Sequence, residues 1–294
     1  MILLTGGTGF VGGHVAHALR AQSRDVRALV REPSRAEQLA NWGCELFSGD
    51  VTDPASLKRA AAGCDVVVHL VAIISGSRSE FERVMTQGTQ NLVAAAQEAG
   101  VRRFVLMSAL GVSEETKDLT PYYHGKWDME LAVKESGLEH VIFRPSFVFG
   151  RDGGVLPLFV RQVRWSPLTP VLGSGERRLQ PIWVEDVAAY FAGSIDLPAA
   201  ANRTFELCGP DAVTWYELYR RIAKALGKRR SRVNIPIGLV RPAAAIAELL
   251  PRPPITRDQL TMLEAGDNVC DTGPALQAFG IDALSLDEQL RRVV

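Results

Sequence analysis

Three side chains in the first half of the chain, Ser108, Tyr122 and Lys126, have types and spacing that suit acid–base chemistry. Tyr122 and Lys126 are four residues apart, which places them on one face of a helix. The pKa of a phenol is ordinarily about 10, and a neighbouring ammonium group lowers it. We therefore expect Tyr122 to exchange a proton with a substrate oxygen that Ser108 holds. The alternative is that Tyr122 only packs and that Lys126 only binds a ribose.

A glycine-rich turn near the start of the chain predicts a dinucleotide site. The apolar segment Ile2–Leu4 leads into Thr5-Gly6-Gly7-Thr8-Gly9-Phe10-Val11-Gly12, and an amphipathic helix pattern follows at once. Glycine lets the backbone turn tightly and approach a diphosphate, and the free N–H groups of the following helix attract that anion. The alternative is a glycine-rich turn in another kind of α/β protein.

The residues after the second predicted strand, Val26–Val30, indicate which dinucleotide binds. Arg31 follows this strand and is suited to pair with the 2′-phosphate of NADP, and Arg35 lies one helical turn further. Glu32 lies near the position of the acidic residue that binds the ribose of NAD, but we expect it to point away. The sequence therefore favours NADP(H) over NAD(H). The alternative is an exposed arginine in a loop.

These groups require strands that end at a common edge, and the first half of the chain has the corresponding pattern. Six apolar segments alternate with helical patterns: Ile2–Leu4, Val26–Val30, Cys44–Phe47, Val66–Val71, Phe104–Met107 and Val141–Phe143. Their lack of polar alternation is typical of parallel strands that are buried on both faces. We predict an α/β protein with a Rossmann doubly wound parallel sheet and helices on both faces. Asp50 and Ala72 then end the third and fourth strands, where they face the adenine and nicotinamide ends of the cofactor.

The expected domain division follows a change of composition after Gly150, where Pro and Gly become frequent. Residues 1–150 form the dinucleotide-binding core, and 179–196 return to it, with a strand near Leu179–Trp183. Residues 151–178 and 197–294 form a smaller, mostly helical C-terminal part for the substrate. In this part we expect Thr214 to cap a helix with Glu217 in the reciprocal position, and a further helix at Leu239–Leu250.

Charge and cysteine usage narrow the class of protein. Lys plus Arg equals Asp plus Glu at 33 each, so no nucleic-acid partner is indicated. The four cysteines have no paired or metal-like spacing, so we expect no metal, no disulfide framework and a cytoplasmic location. We expect no signal peptide and no transmembrane segment. The basic run 228–232 is either a solvated loop or a patch for an anionic lipid or a partner subunit. The substrate is a small molecule, and the protein is a monomer or a homodimer.

On these motifs the chain resembles the short-chain dehydrogenase/reductase superfamily in its extended and atypical branches. The matching segments are the turn 5–12, Gly49-Asp50, Gly88-Thr89-Gln90-Asn91-Leu92, Ser108, Tyr122-Tyr123-His124-Gly125-Lys126, Arg144-Pro145-Ser146-Phe147-Val148-Phe149-Gly150 and Pro181-Ile182-Trp183-Val184-Glu185-Asp186-Val187-Ala188. The chain is most similar to the branch that contains the NADPH-binding accessory subunit of respiratory complex I. One departure is Met85, at a position where catalytic members often carry an asparagine that holds a proton-relay water. A thioether is only a weak acceptor.

The resemblance implies an NADP-dependent oxidoreductase or epimerase/dehydratase that acts on a small carbonyl or hydroxyl substrate. Tyr122 is then the acid–base, and its pKa is lowered by Lys126 and by the positively charged oxidised nicotinamide. Lys126 also anchors the ribose, and Ser108 holds the carbonyl. The alternative is a non-catalytic NADPH-binding protein with a structural, assembly or redox-sensing role. The full set of expected cofactor-binding residues is Thr5, Gly6, Thr8, Gly9, Phe10, Val11, Gly12, Arg31, Arg35, Asp50, Val51, Ala72, Lys126, Pro145 and Ser146.

Overall fold

A central sheet of seven strands dominates the computed structural model, which describes residues 1–248 and 255–294. The strands are β1 (Ile2–Thr5), β2 (Val26–Val30), β3 (Glu45–Ser48), β4 (Val66–His69), β5 (Arg103–Met107), β6 (Glu139–Pro145) and β11 (Arg203–Leu207), in the spatial order β11-β6-β5-β4-β1-β2-β3. Every neighbouring pair in this sheet is parallel. The chain runs from β1 through β2 to β3 on one side and then crosses back to β4 on the other side of β1. The switch point, where such folds bind ligands, therefore lies beside β1.

Helices surround the sheet, and the predicted Rossmann fold is confirmed. The helices packed with it are α1 (Phe10–Ala21), α2 (Glu37–Asn41), α3 (Pro54–Ala61), α4 (Arg78–Phe81), α5 (Gly88–Glu98), α6 (Pro121–Lys134), α8 (Val184–Gly193) and α12 (Gly273–Phe279), with a π-helical turn at Glu82–Gln87. Helix α1 packs against α8, whereas α3, α5 and α6 pack side by side. Apolar strand residues such as Leu3, Val67 and Phe104 are fully buried, because helices cover the sheet.

By their contacts the described residues divide into two units. The first comprises Met1–Pro145, Val184–Leu207 and Thr272–Asp282, and the second comprises the described residues of Ser146–Trp183, Cys208–Asp271 and Ala283–Val294. Residues 197–207 lie in the first unit because β11 extends the central sheet beside β6. The division expected from the sequence had assigned them to the C-terminal part.

The second unit contains three small two-stranded ladders. They pair β7 (Val148–Phe149) with β10 (Ile182–Trp183), β9 (Arg178–Leu179) with β12 (Val213–Thr214), and β8 (Leu168–Leu172) with β13 (Ser231–Ile235). The expectation that Leu179–Trp183 returns to the central sheet is therefore wrong. Pro181 interrupts this segment, since it lacks an N–H donor, and the residues on either side pair with different partners.

The helices of the second unit are α7 (Leu156–Trp165), α9 (Trp215–Ala225), α10 (Ile237–Ala247), α11 (Arg257–Ala265) and α13 (Leu286–Arg291). Thr214 caps α9, as predicted, by accepting a hydrogen bond of 3.1 Å from the backbone N–H of Glu217. The Glu217 carboxylate does not take the expected reciprocal position, because it forms ion pairs with Arg220 and Arg221. The predicted helix at Leu239–Leu250 corresponds to α10, and its last two residues lie outside the described residues.

A disulfide joins Cys208 and Cys270, which contradicts the expectation of free cysteines. The two cysteines are 62 positions apart in the chain, and Gln180 forms hydrogen bonds to both of their segments. Its side-chain amide donates to the carbonyl of Gly209 over 2.7 Å and accepts from the backbone N–H of Cys270 over 3.0 Å. The cysteines therefore no longer support a reducing compartment. No helix within the described residues is long and apolar enough to cross a bilayer.

Candidate functional site

The glycine turn that follows β1 forms a backbone cradle at the start of α1. Gly6 has a φ of +78°, a conformation that side chains rarely adopt. A Cβ on Gly12 would lie 2.0 Å from the carbonyl oxygen of Gly6, so the first turn of α1 rests directly on the turn. Gly9 is the N-cap of α1 and offers no side-chain acceptor. The first N–H groups of α1 therefore remain available to an anion such as a diphosphate.

Thr5, at the end of β1, is buried and forms part of a polar network. Its hydroxyl lies 2.6 Å from Nδ1 of His69, and Nε2 of His69 lies 3.0 Å from the hydroxyl of Thr89. Burial lowers the pKa of His69 to about 3, and the nearby charge of Lys126 lowers it further, so the ring is neutral. The network fixes the ends of β1 and β4 together. A contact between Thr5 and a cofactor stays a prediction.

The arginines after β2 differ from each other in their surroundings. Arg35 forms an ion pair of 2.9 Å with Glu32, and both side chains are exposed. Arg31 is exposed, and within residues 1–248 and 255–294 it has no ion-pair partner. The Arg31 guanidinium is therefore the free cation at the end of β2, whereas the charges of Glu32 and Arg35 compensate each other.

The other residues that we expect to contact the cofactor have different surroundings. Asp50 accepts hydrogen bonds from the backbone N–H and the hydroxyl of Thr52 through one carboxylate oxygen. Val51 is buried beside Gly88, and Ala72 is partly exposed after β4. Pro145 is buried at the end of β6. The hydroxyl of Ser146, the first residue of the second unit, donates to the side chain of Asn268. Thr8 and Gly9 are exposed, and Phe10 and Val11 are partly exposed.

Tyr122 and Lys126 lie on one face of α6, as their spacing predicts. The Lys126 ammonium lies 5.9 Å from the centre of the Tyr122 ring and donates a hydrogen bond of 2.6 Å to the carbonyl of Met107, the last residue of β5. Lys126 is only 1% exposed. Burial lowers its pKa to about 7, although the Glu130 carboxylate opposes this change. Its strong burial was not expected from the sequence.

In the protein without a bound cofactor the pKa of Tyr122 is raised. Burial raises it above the ordinary value, and the neighbouring Tyr123 adds to this effect. The physical reason is that both groups are desolvated, and a lysine with a pKa near neutrality carries only part of its positive charge at pH 7. The expectation that Lys126, together with a bound and positively charged nicotinamide, lowers the pKa of Tyr122 stays a prediction.

Ser108 follows β5, but its side chain faces the interior. The residue is fully buried, and among the described residues its Oγ makes no well-formed hydrogen bond. It faces the carboxylate of Glu130, one helical turn after Lys126, and helps to lower the pKa of that group. A role for Ser108 in holding a substrate oxygen stays a prediction.

Glu130 and Arg144 form a buried ion pair that the sequence analysis missed. Arg144 donates two hydrogen bonds of 2.7 Å to the two carboxylate oxygens of Glu130, and Lys134 donates a third over 2.9 Å. Burial favours the neutral form of Glu130, but these hydrogen bonds outweigh burial and lower its pKa. The signal was the spacing of Lys126, Glu130 and Lys134, which repeats every four residues on α6.

Met85 fills the space beside the Lys126 turn of α6. Its side chain is fully buried in the π-helical turn, and a Cβ on Gly125 would lie 3.2–3.3 Å from three of its atoms. An apolar side chain therefore packs against the residue that precedes Lys126. This packing agrees with the burial of the Lys126 ammonium.

Comparisons with known proteins identify the family. The model of a family described as NAD(P)H-binding matches residues 6–159. The ceramide reductase of Caulobacter vibrioides is 31% identical over 250 residues, which are 84% of this chain and 77% of that protein. The mitochondrial NADH dehydrogenase (ubiquinone) 1 alpha subcomplex subunit 9 of Mus musculus is 26% identical over 98% of this chain and 78% of that protein. The expected resemblance to a complex I subunit is thus confirmed.

A solved structure has the same fold. The NADPH-dependent quinone oxidoreductase of Escherichia coli, solved with NADPH, has a TM-score of 0.81 at 22% identity and covers 99% of this chain and 98% of that chain. The glycine cradle, the switch point beside β1 and these comparisons lead to one conclusion. The chain belongs to the NAD(P)H-binding family of Rossmann-fold proteins.

Proposed function

We propose that the protein is an NADPH-dependent reductase of a small carbonyl substrate, with Tyr122 as its proton donor. The observation that carries this proposal is the placement of Tyr122 and Lys126 on one face of α6, with Lys126 bound to the last carbonyl of β5. Burial keeps the Tyr122 phenol protonated at neutral pH. A protonated phenol is suited to protonate the oxygen of a carbonyl that is being reduced.

Other residues of the chain have separate roles in the proposed reaction. A bound nicotinamide cofactor would supply the hydride that reduces the carbonyl carbon. The glycine cradle binds its diphosphate, and Lys126, whose pKa is about 7, is positioned beside Tyr122 to donate a hydrogen bond or a proton. Met85 packs against Gly125 and keeps the turn of α6 beside Lys126 apolar. The ceramide reductase of Caulobacter vibrioides, as a named relative, supports the reductase class.

Replacing Tyr122 with phenylalanine tests the proposed reaction. We expect Tyr122→Phe to lower NADPH oxidation on a panel of ketones, aldehydes and quinones at least about 100-fold, because it removes the general acid. The dissociation constant for NADPH should stay within about twofold, since the phenol is assigned no part in binding the diphosphate. Tyr123→Phe is the matched control, because the Tyr123 hydroxyl donates to the carbonyl of Leu110 inside the fold. Full turnover in Tyr122→Phe would refute the assigned role.

The free charge of Arg31 supports a preference for NADPH over NADH. Glu32, which would otherwise be available to ribose hydroxyls, is paired with Arg35. A charge-assisted bond between Arg31 and the 2′-phosphate contributes about 1.5–3 kcal/mol, or about 10- to 100-fold in affinity. We expect Arg31→Asp to weaken NADPH binding by at least this factor and to leave NADH binding nearly unchanged. An unchanged ratio of the two affinities would contradict this assignment.

A second candidate function is NADPH binding without turnover, in a structural or redox-sensing role. Met85 favours it, because a thioether is a poor substitute for a group that holds a relay water. The similarity to subunit 9 of mouse NADH dehydrogenase supports it as well. The wild-type protein distinguishes the two candidates. Substrate-dependent oxidation of NADPH supports the reductase, whereas NADPH binding with no turnover on the panel supports the second candidate.

A further inference from the structure

The second unit contains a groove of about 720 Å³ whose lining is strongly cationic. Residues of α9, of the basic run 228–232, of β8 and of α13 line it. Seven of these lining residues are Lys or Arg, and two, Glu217 and Asp287, are acidic. A volume of this size is typical of a site for a small molecule. The groove shares no residue with the site described above.

The lining of the groove divides into a buried floor and an exposed rim. Thr169 of β8 and the α9 residues Tyr219 and Ala223 are buried, so they form the floor. Most of the exposed lining residues are cations: Arg220, Lys224, Lys228, Arg229 and Arg232. A ligand that enters the groove therefore passes positive charges before it reaches the floor.

Both carboxylates of the groove are already paired. Glu217 forms ion pairs with Arg220 over 2.7 Å and with Arg221 over 2.9 Å, and Arg221 also lies 3.4 Å from Asp287. The rim cations, which are the other exposed Lys and Arg side chains of the groove, are Lys224, Lys228, Arg229 and Arg232. No carboxylate within residues 1–248 and 255–294 forms an ion pair with any rim cation. Four uncompensated charges around one groove attract an anion of high charge density.

Secondary structure and local contacts hold the rim cations in place. Lys224 lies on α9, and Arg232 lies on β13, opposite Thr169 of β8. Arg230 of the basic run donates to two carbonyls at the end of α7 over 2.7 and 3.0 Å, which fixes the backbone beside Arg229. The Arg232 guanidinium lies 4.8 Å from the centre of the Tyr216 ring, a contact that orients the group without neutralising its charge. Less ordering is then required when a ligand binds.

Thr169 provides a second, independent indication of a ligand. Its side chain is on the same face of the β8–β13 ladder as that of Arg232, because paired residues of neighbouring strands point to one face. Thr169 is 1% exposed, and its hydroxyl has no hydrogen-bond partner in the part of the chain that the structure describes. The Tyr219 hydroxyl, in contrast, donates to the side chain of Gln162 over 3.1 Å. A buried hydroxyl without a partner is unfavourable, and an anionic oxygen at the floor would accept its hydrogen bond.

We propose that this groove binds a small anionic ligand that carries a diphosphate or two neighbouring phosphate groups. A phosphate monoester carries about 1.5 to 2 negative charges near pH 7, so two of them match the four rim cations in charge. The guanidinium groups of Arg229 and Arg232 suit phosphate, because their N–H groups donate in pairs to its oxygens. The Thr169 hydroxyl donates to a phosphate oxygen at the floor. The site does not depend on the reductase reaction proposed above, because it uses none of the same residues.

Calorimetric titration with inorganic pyrophosphate tests the site in the intact protein. NADPH is present at saturation, so that the glycine cradle is occupied. We expect pyrophosphate to bind at least about 10-fold more tightly than sulfate, because it brings more negative charge to the rim cations. The affinity should fall as the salt concentration rises, since exposed charges are screened.

A pair of double variants locates the bound pyrophosphate. Arg229→Gln with Arg232→Gln should weaken its binding at least about 10-fold, because two charge-assisted hydrogen bonds are lost. The matched control is Arg59→Gln with Arg83→Gln, which removes the same charge from exposed positions of the first unit. It should change the affinity by less than about twofold, since charges outside the groove are screened.

Thr169→Val separates a role in ligand binding from a structural role. Valine has nearly the same shape and no hydroxyl, so the variant removes an unpaired buried group and should raise the melting temperature of the ligand-free protein. The same variant should bind pyrophosphate about 10-fold more weakly, because one hydrogen bond to an anion is lost. A hydroxyl that served only the fold would give a lower melting temperature and an unchanged affinity, which would contradict the proposal.

Three further outcomes would overturn the proposal. The first is the absence of pyrophosphate binding to the NADPH-saturated protein, or an affinity equal to that for sulfate. The second is an equal loss of affinity in the two double variants, which would indicate a general effect of net charge. The third is binding of phosphatidylglycerol vesicles without binding of pyrophosphate, which would assign the rim cations to a membrane surface.

Discussion

Replacing Lys126 with methionine is expected to stabilise the fold while it removes reductase turnover. The variant removes an ammonium that is 1% exposed and retains a side chain of similar length. Burial lowers the pKa of Lys126 from 10.5 to about 7, because it disfavours the charged ammonium form. This change in pKa lowers the free energy of unfolding by about 5 kcal/mol at low pH and by about 4 kcal/mol at pH 7.

The hydrogen bond from Lys126 to the Met107 carbonyl offsets part of this cost. A hydrogen bond from a charged donor contributes about 2 kcal/mol. The net expectation at pH 7 is that Lys126→Met raises the free energy of unfolding by about 2 kcal/mol. A residue that served only to stabilise the fold would give the opposite sign.

The pH dependence of the free energy of unfolding provides a more specific test. Between pH 7 and pH 10.5 the unfolded chain binds the lysine proton and the folded chain does not, so the wild-type protein gains stability as the pH rises. The advantage of Lys126→Met should therefore shrink by about 3 kcal/mol between about pH 6 and about pH 9. Urea unfolding of both proteins at the two pH values measures this difference. Lys58→Met, at a side chain that is 65% exposed, is the control and should show almost no such change.

A difference between Lys126→Met and the wild-type protein that is the same at both pH values would refute the reasoning. It would mean that the Lys126 ammonium is hydrated in the folded protein and that its pKa is not lowered. A fall in stability of more than about 2 kcal/mol at both pH values would indicate that the bond to Met107 dominates instead.

Two further predictions concern stability. Glu130→Gln should lower the free energy of unfolding by about 3–5 kcal/mol in urea titrations, because it leaves Arg144 without its buried charged partner. The exposed control Glu98→Gln should lower it by less than about 1 kcal/mol. Equal effects of the two variants would contradict the assignment. After oxidation with glutathione, a thiol titration of the denatured protein should detect only Cys44 and Cys64. Reduction of the Cys208–Cys270 disulfide should lower the free energy of unfolding by about 2–4 kcal/mol. Four reactive thiols would show that the bond does not form.

Local patterns in the sequence were sufficient for the first six strands of the central sheet and for the glycine turn. The strands were predicted because parallel strands covered on both faces are continuously apolar, and Leu3, Val67 and Phe104 are buried as that pattern requires. The glycine turn was predicted because glycine readily adopts the positive φ of Gly6, and because only a residue without a Cβ permits the close approach of Gly12 to the Gly6 carbonyl. These features depend on neighbours within a few residues.

The second unit could not be predicted in the same way. Its ladders are two to five residues long, and a pattern of that length does not specify a partner. The Cys208–Cys270 disulfide joins residues that are 62 positions apart, and Gln180, which bridges the two segments by hydrogen bonds, is itself remote from Cys270 in the chain. The exposure of Leu168 and Val233 depends on which face of the β8–β13 ladder packs against the rest of the unit.

The sequence by itself determined that the chain has a dinucleotide cradle, because turn geometry and helix N-termini are local properties. It also placed Tyr122 and Lys126 on one helix face. Only the tertiary structure decided the charge states of these groups, since desolvation depends on every element packed around them. Burial lowers the pKa of Lys126 against the opposing charge of Glu130, and burial also keeps Tyr122 protonated, so the structure favours the proton donor among the two directions of proton exchange that the sequence had left open.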